Sequence, residues 1–211
     1  MWLKQSSSIF WTISLVIFMA SNWPAQSRAS EKKSAEETLK KGQVAPVFSM
    51  RVINSKESGI SFFSLDDFVG PEEKKHTKLM VLSFFATYCE PCKKELPVLE
   101  KLWERYKKDG LMVAVVSIDK GTGQAGGIKE LINRKHLTYP VIHDKFQILA
   151  KRYHVGRLPY LTLIGKDGKI KMLNVGYTES FTKKLVGIIQ KELGEKPVSF
   201  EEIIGTKKSG N

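Results

Sequence analysis

An uncharged apolar run at residues 79–85, followed closely by Cys89-Glu90-Pro91-Cys92 and then by a helical stripe of apolar residues, constrains this chain more than any other feature. The run reads as a strand buried on both faces of a sheet. Behind it Leu96, Leu99, Leu102, Trp103 and Tyr106 recur at helical spacing, with Gly110 as the stop, so a helix is expected over residues 90–108. The two cysteines thus fall at a strand-to-helix junction, and the chain has no others. A sulfur at a helix start faces unpaired backbone N–H groups and the positive end of the helix dipole, both of which favour the thiolate. Cys89 is therefore the expected reactive thiol, and Cys92, about one turn on, can reach back to close a small disulfide ring. Pro91 suits the first helical turn, where its missing N–H would have had no partner.

A purely structural disulfide is disfavoured because so short a ring constrains little unfolded-chain entropy. Metal binding competes more strongly, since His76, His136, His143 and His154 accompany the cysteine pair. None of these histidines is paired at zinc-site spacing, so no metal and no separate cofactor are expected, the dithiol itself being the redox group. The alternative function is a copper carrier that uses Cys89, Cys92 and His143 or His154. A peroxidase is a poorer match, because Thr87 lies two residues before Cys89 and the proline expected upstream of such a threonine is missing.

The first 29 residues read as an export signal or an uncleaved membrane anchor: Lys4 precedes an apolar, uncharged run at residues 9–20, and small residues follow. The folded part is then expected outside the cytoplasm, in the periplasm or on the outer face of the cytoplasmic membrane. A protein of that compartment with only one adjacent cysteine pair must rely on a packed core. The 42% apolar composition is enough to fill one α/β domain over residues 43–193. The formal charge of +12 falls to +10 if residues 1–29 are removed, since Lys4 and Arg28 leave with no acid. The remaining lysines are mixed with acids and form no aromatic-interleaved stripe, which argues against nucleic acid as a partner and leaves anionic membrane or acidic proteins as candidates.

Residues 30–42 read as a charged linker. Residues 44–53 and 60–63 look like short strands around a turn-rich stretch, and residues 64–68 like a helical turn. After the dithiol helix come a buried strand at 111–118, a helix at 128–136, a short strand at 140–143 and a short helix at 146–153. Residues 160–164 and 170–175 flank a hairpin turn, and a last amphipathic helix spans about 179–193, followed by a polar, partly disordered tail at 194–211. Strand and helix alternate, which predicts right-handed crossovers and parallel pairing. Gly121-Thr122-Gly123-Gln124-Ala125-Gly126, with Asp144 beyond, imitates a dinucleotide-binding fingerprint. Too little chain follows for a second nucleotide-binding half, so a flexible loop is the expectation there.

This order of elements resembles the thioredoxin fold, and more closely the extracytoplasmic TlpA/ResA-type thiol-disulfide oxidoreductases of the redoxin (AhpC/TSA) group. The matching stretches are residues 84–97 around the dithiol, residues 153–160 ending in Leu158-Pro159-Tyr160, and residues 163–168 at the hairpin. The resemblance implies a central mixed β-sheet flanked by helices, with an N-terminal strand extension. It also implies a cis peptide between Leu158 and Pro159, beside the cysteines, where Leu158 would present its N–H and C=O to an incoming chain. Tyr88, Glu90 and Pro91 would shape that contact surface. Ser83 stands where thioredoxin has a buried carboxylate; Asp119 is the candidate for proton transfer in its place, with Glu90 and Glu95 as alternatives. The partners implied are disulfides of exported proteins such as apocytochrome c, and a membrane electron donor of the DsbD/CcdA type.

Overall fold

The computed structural model describes residues 38–205. The export-signal or anchor reading of residues 1–29 and most of the linker lie outside the described residues. Within them, the chain runs β1 (Ser49–Arg51), α1 (Ser55–Ser58), β2 (Phe62–Ser64), β3 (Leu79–Phe85), α2 (Glu90–Tyr106), β4 (Leu111–Ser117), α3 (Ala125–Lys135), β5 (Val141–His143), α4 (Ile148–Arg152), β6 (Tyr160–Gly165), β7 (Ile170–Val175), α5 (Glu179–Leu193) and α6 (Phe200–Ile204). Five strands form a mixed sheet in the order β5-β4-β3-β6-β7, while β1 and β2 make a separate antiparallel pair. The β3–β4 and β4–β5 pairs are parallel; β6 joins β3 antiparallel and β7 joins β6 antiparallel. This is the expected mixed α/β sheet with an N-terminal strand extension.

Every residue of β3 and β4 is buried. Alternate side chains leave a strand on opposite faces, so β3 serves two apolar layers. Leu79, Val81 and Phe85 join a layer built by α2, α3, α5 and α6, whereas Met80, Leu82 and Phe84 meet Phe48 and Phe63 of the N-terminal extension and Leu149 and Tyr153 near α4. Ser83 has the parity of the first set and faces α2.

The N-terminal extension differs from expectation. Only Ser49–Arg51 of the expected strand at 44–53 forms a ladder, because Pro46 has no N–H to donate and the residues before it pair elsewhere. Val44 bridges Lys169, and the Ala45 N–H donates to the Gly168 carbonyl at 2.9 Å, so this stretch lies against the start of β7. At the other edge, Val52 bridges Ile142, and the Asn54 side chain donates to the Leu137 and Tyr139 carbonyls and accepts from the Val141 N–H. The extension therefore contacts both outer strands of the main sheet, limiting unpaired edge.

Two further differences concern loops. Gly126 and Gly127 lie inside α3, which starts three residues earlier than expected, and a 3-10 turn at Thr122–Gln124 precedes it. Asp144 is buried, its carboxylate accepting from the Ile148 and Ala150 N–H groups at the start of α4. The glycine pattern is a helix entry and its acidic companion a helix cap. Past residue 193 the chain refolds as α6, where the expectation was a polar tail. Ser199 caps it by accepting from the Glu202 N–H, and Phe200 and Ile203 are buried in the α2 and α5 layer. Among the described residues no helix is long and apolar enough to cross a membrane.

Candidate active site

The parallel strands β3, β4 and β5 end on the same side of the sheet, and the loops leaving them build the site. Cys89 is the N-cap of α2: its backbone is extended and its sulfur accepts the Cys92 N–H at 3.3 Å. The two sulfurs are bonded to each other, with the Cα atoms 5.3 Å apart. Burial separates them. Cys92 is wholly buried in the α2 layer, whereas Cys89 is partly exposed and touches both apolar layers. Only Cys89 is open to a large partner.

Around it Tyr88 projects into solvent, 72% exposed, and Pro91 occupies the first turn of α2. The Glu90 carboxylate accepts from Lys93 Nζ at 2.6 Å, and that bond holds its pKa below the usual carboxylate range. The Leu158–Pro159 peptide is cis. Phe84 pairs with Tyr160, which sets Pro159 beside the end of β3 on the neighbouring strand, and Leu158 packs, as Cys89 does, against both layers. The sequence-selected residues 88–92, 158 and 159 thus gather at one end of the sheet.

Asp119 also comes to this edge, in a different attitude. Its buried carboxylate accepts the Thr87 N–H at 3.0 Å, the Thr87 hydroxyl at 2.7 Å and the Ser117 hydroxyl at 2.7 Å. His143 Nε2–H donates to the Asp119 carbonyl at 2.8 Å and Gln147 Nε2 to the Ile118 carbonyl at 2.8 Å. The loops after β5, β4 and β3 are thereby laced together, and Asp119 grips the loop that carries Cys89. His143 and Gln147 were not legible as members of this lacing, since their partners are backbone carbonyls.

The helix α2 also carries a buried acid, Glu95. It lies three residues after Cys92, on the same face of α2, and is 3% exposed. Ser83 Oγ donates to its Oε2 at 2.6 Å. Burial pushes its pKa up to about 7, with the Ser83 hydrogen bond pulling weakly the other way. Ser83 of β3 thus holds a buried carboxyl that the facing helix carries. Among the described residues no group of three or more His, Cys, Asp and Glu side chains is arranged to hold a metal ion.

A disulfide at the N-terminus of the helix after the central strand, flanked by a cis-proline on the antiparallel neighbour, defines a thiol-disulfide oxidoreductase of the thioredoxin class. Residues 41–173 match the AhpC/TSA family, and the chain belongs to that family. It is similar to the thiol-disulfide oxidoreductase ResA of Oceanobacillus iheyensis, 31% identical over 173 residues that span 82% of this chain and 83% of that protein. The thioredoxin-like protein YneN of Bacillus subtilis is 28% identical over 174 residues, 82% of this chain and 92% of that one. Among solved structures, a Chlorobium tepidum protein assigned as thiol:disulfide interchange protein DsbE superposes with a TM-score of 0.63 at 25% identity, covering 74% of this chain and all of that one.

Proposed function

We propose that the protein reduces disulfides in exported proteins outside the cytoplasm, apocytochrome c among its substrates, and is itself re-reduced by a membrane electron donor of the DsbD/CcdA type. The observation that carries this reading is the unequal burial of the two sulfurs at a helix start: one open to a large partner, the other sealed beneath it. In the reduced protein the Cys89 thiolate attacks one sulfur of the substrate disulfide. The substrate S–S bond breaks, a mixed disulfide forms, and one substrate thiolate leaves. Cys92 then loses its proton and attacks the Cys89 sulfur, which re-forms the Cys89–Cys92 disulfide and releases the second substrate thiol. Two electrons pass to the substrate. The dithiol carries them, and no further cofactor is needed.

Glu95 is the proton acceptor for Cys92 in this scheme. A carboxyl with a pKa near 7 is divided between its two forms at neutral pH, as a group that takes and returns a proton in each cycle should be. Asp119, whose carboxylate already accepts from Thr87 and Ser117, holds the loop and leaves the proton to Glu95.

The test is trapping in cells. Cys92→Ser should stop the reaction at the mixed disulfide and accumulate covalent complexes with exported proteins, including cytochrome c precursors, while Cys89→Ser should hold few. The wild type should be mainly reduced when the membrane donor is present and oxidised when it is deleted. A wild type that stays oxidised beside an intact donor would make it an oxidant. Failure of both variants to trap any partner would abandon the exchange reading in favour of copper binding.

A further inference from the structure

We propose that a basic groove between β7 and α5 docks the domain on an anionic phospholipid surface. The groove is an open cleft of about 700 Å³. Its floor is apolar, with Leu163 buried beneath it and Met172 and Ile188 half-buried along its walls. Lys40, Lys41, Lys184 and Lys191 line it, all exposed. The acid in the lining, Glu192, is already bound to Lys171 at 2.7 Å.

The grouping of the charges sets this groove apart from an ordinary solvated face. Some lysines elsewhere are matched with acids, as Lys74 is with Asp67, Lys93 with Glu90, Lys166 with Glu73, and Lys183 with Glu179 and Glu201. Others, such as Lys56, Lys108, Lys129 and Lys145, stand unpaired with acids among the described residues but are scattered over separate elements. The four groove lysines have no acid within ion-pair distance among the described residues, yet they converge on one apolar floor. Long aliphatic stems lying on an apolar surface with their ammonium heads lifted to the rim match a headgroup layer, where phosphates sit above hydrocarbon.

Position argues for lipid over a soluble acidic partner. In sequence the uncharged apolar run at residues 9–20 precedes the domain, and Leu39, Lys40 and Lys41, at the N-terminal side of the domain, line the groove. A chain held to a bilayer by that run keeps the groove at high effective concentration near the headgroups. Topology fits too. Tyr160 and Val175 pair at the Cys89 end of the sheet, and β7 begins at the opposite end with Ile170. Lys184 and Lys191 lie progressively further along α5 from its start at Glu179, which follows the dithiol end of β7. Docking through the groove therefore leaves Cys89 facing away from the bilayer. This inference is independent of the direction of electron flow.

The experiment compares partition of the full chain between phosphatidylcholine vesicles and vesicles that also carry phosphatidylglycerol. Because the apolar run is common to every variant, the ratio of the two partitions isolates charge. Wild type should favour the anionic vesicles by at least about tenfold at low salt and lose that preference at high salt. The fourfold variant Lys40→Glu, Lys41→Glu, Lys184→Glu, Lys191→Glu should lose it. A control of equal net charge, Lys56→Glu, Lys108→Glu, Lys129→Glu, Lys145→Glu, should keep it. Single reversals Lys40→Glu and Lys191→Glu, each expected to lower the ratio roughly fivefold, give the same reading if the fourfold variant does not fold. Exchange with a small disulfide, followed in parallel, should be unchanged in the folded variants, so its loss across all proteins would count against the redox reading and not against the groove. Equal loss in the fourfold variant and its control, absence of any wild-type preference, or groove-dependent binding of polyglutamate without preference for anionic lipid would overturn the proposal.

Discussion

Glu95 occupies a core position of α2 by period alone, since Cys92, Glu95, Leu99, Leu102 and Tyr106 follow one another at steps of three or four and all are buried. A carboxyl there ionises at the cost of its lost hydration, which is why its pKa rises to about 7. The sign of the consequence follows from proton counting. Between about pH 4.5 and pH 7 the folded protein binds more protons at this site than the unfolded chain, so stability falls as pH rises through that window and levels off above it. The separation of the two pKa values corresponds to about 3 kcal/mol. Glu95→Gln in the oxidised protein, where neither cysteine titrates, should remove most of this slope; denaturant unfolding at several pH values measures it. An unchanged slope would place the titrating group elsewhere, with Glu100, also raised by burial, next in line. In the reduced protein, alkylation at neutral pH should modify Cys89 well before Cys92, because Cys92 has no exposed surface; mass mapping of the first adduct checks it. The cysteines were legible in the sequence from their spacing at the strand-to-helix junction, and Pro159 through the family resemblance. Glu95 was visible only as one of three candidate acids, because an acid on an apolar stripe declares burial but not which group it serves, and the Thr87 hydrogen bonds to Asp119 exist only once the loops after β3 and β4 meet.

Where residue pattern was strong, elements came out as read. The two continuous apolar runs gave β3 and β4, and the stripe from Phe181 to Ile189 gave α5 with bounds Glu179–Leu193, the Thr178 hydroxyl accepting the Phe181 N–H at its start and Gly194 at positive φ at its end. The short pieces were harder: β1 and β2 are three residues each, and their extent is set by which partner the backbone finds, a tertiary matter. The helix α6 was missed because five residues carry barely more than one turn of periodic signal, yet Phe200 and Ile203 are buried against the layer that also holds Cys92. Phe200→Ala should therefore cost about 3 kcal/mol, as for a buried aromatic and not a loose tail, read from denaturant midpoints; a change within experimental scatter would mean that α6 contributes nothing to the fold. Thr162 on β6 offers the opposite case. Its hydroxyl is buried without a hydrogen-bond partner among the described residues, opposite Leu82 of the central strand β3. Thr162→Val should raise stability by about 1 kcal/mol by deleting an unpaired polar atom, and a loss would point to a partner for the hydroxyl that is absent from the described contacts.

At the scale of the whole molecule, two apolar layers on either side of one sheet hold the domain, and the cysteine pair lies at the rim of this arrangement rather than across it. An exchange enzyme must pass through its dithiol state in every cycle, so the fold has to tolerate loss of the bond. The bond closes a ring between residues only three apart in sequence. Chain-entropy reasoning assigns so small a ring about 2 kcal/mol at 25 °C, an amount that the burial of a single large core side chain equals. Opening it also leaves the Glu95–Ser83 hydrogen bond and the Thr87–Asp119 grip without a covalent dependency, since none of these groups is joined through the sulfurs. The reduced protein should accordingly unfold in one cooperative transition with the same denaturant dependence as the oxidised one, its midpoint lower by no more than that 2 kcal/mol implies. Amide exchange in β3, β4 and α5 should stay at the global limit in both forms, with differences confined to the first turn of α2 and the loops that end at Cys89 and Asp119. A reduced protein that loses slope, or whose central strands exchange freely, would show that the disulfide is a structural staple, and an exchange cycle built on Cys89 and Cys92 would then lack the stable dithiol form it requires.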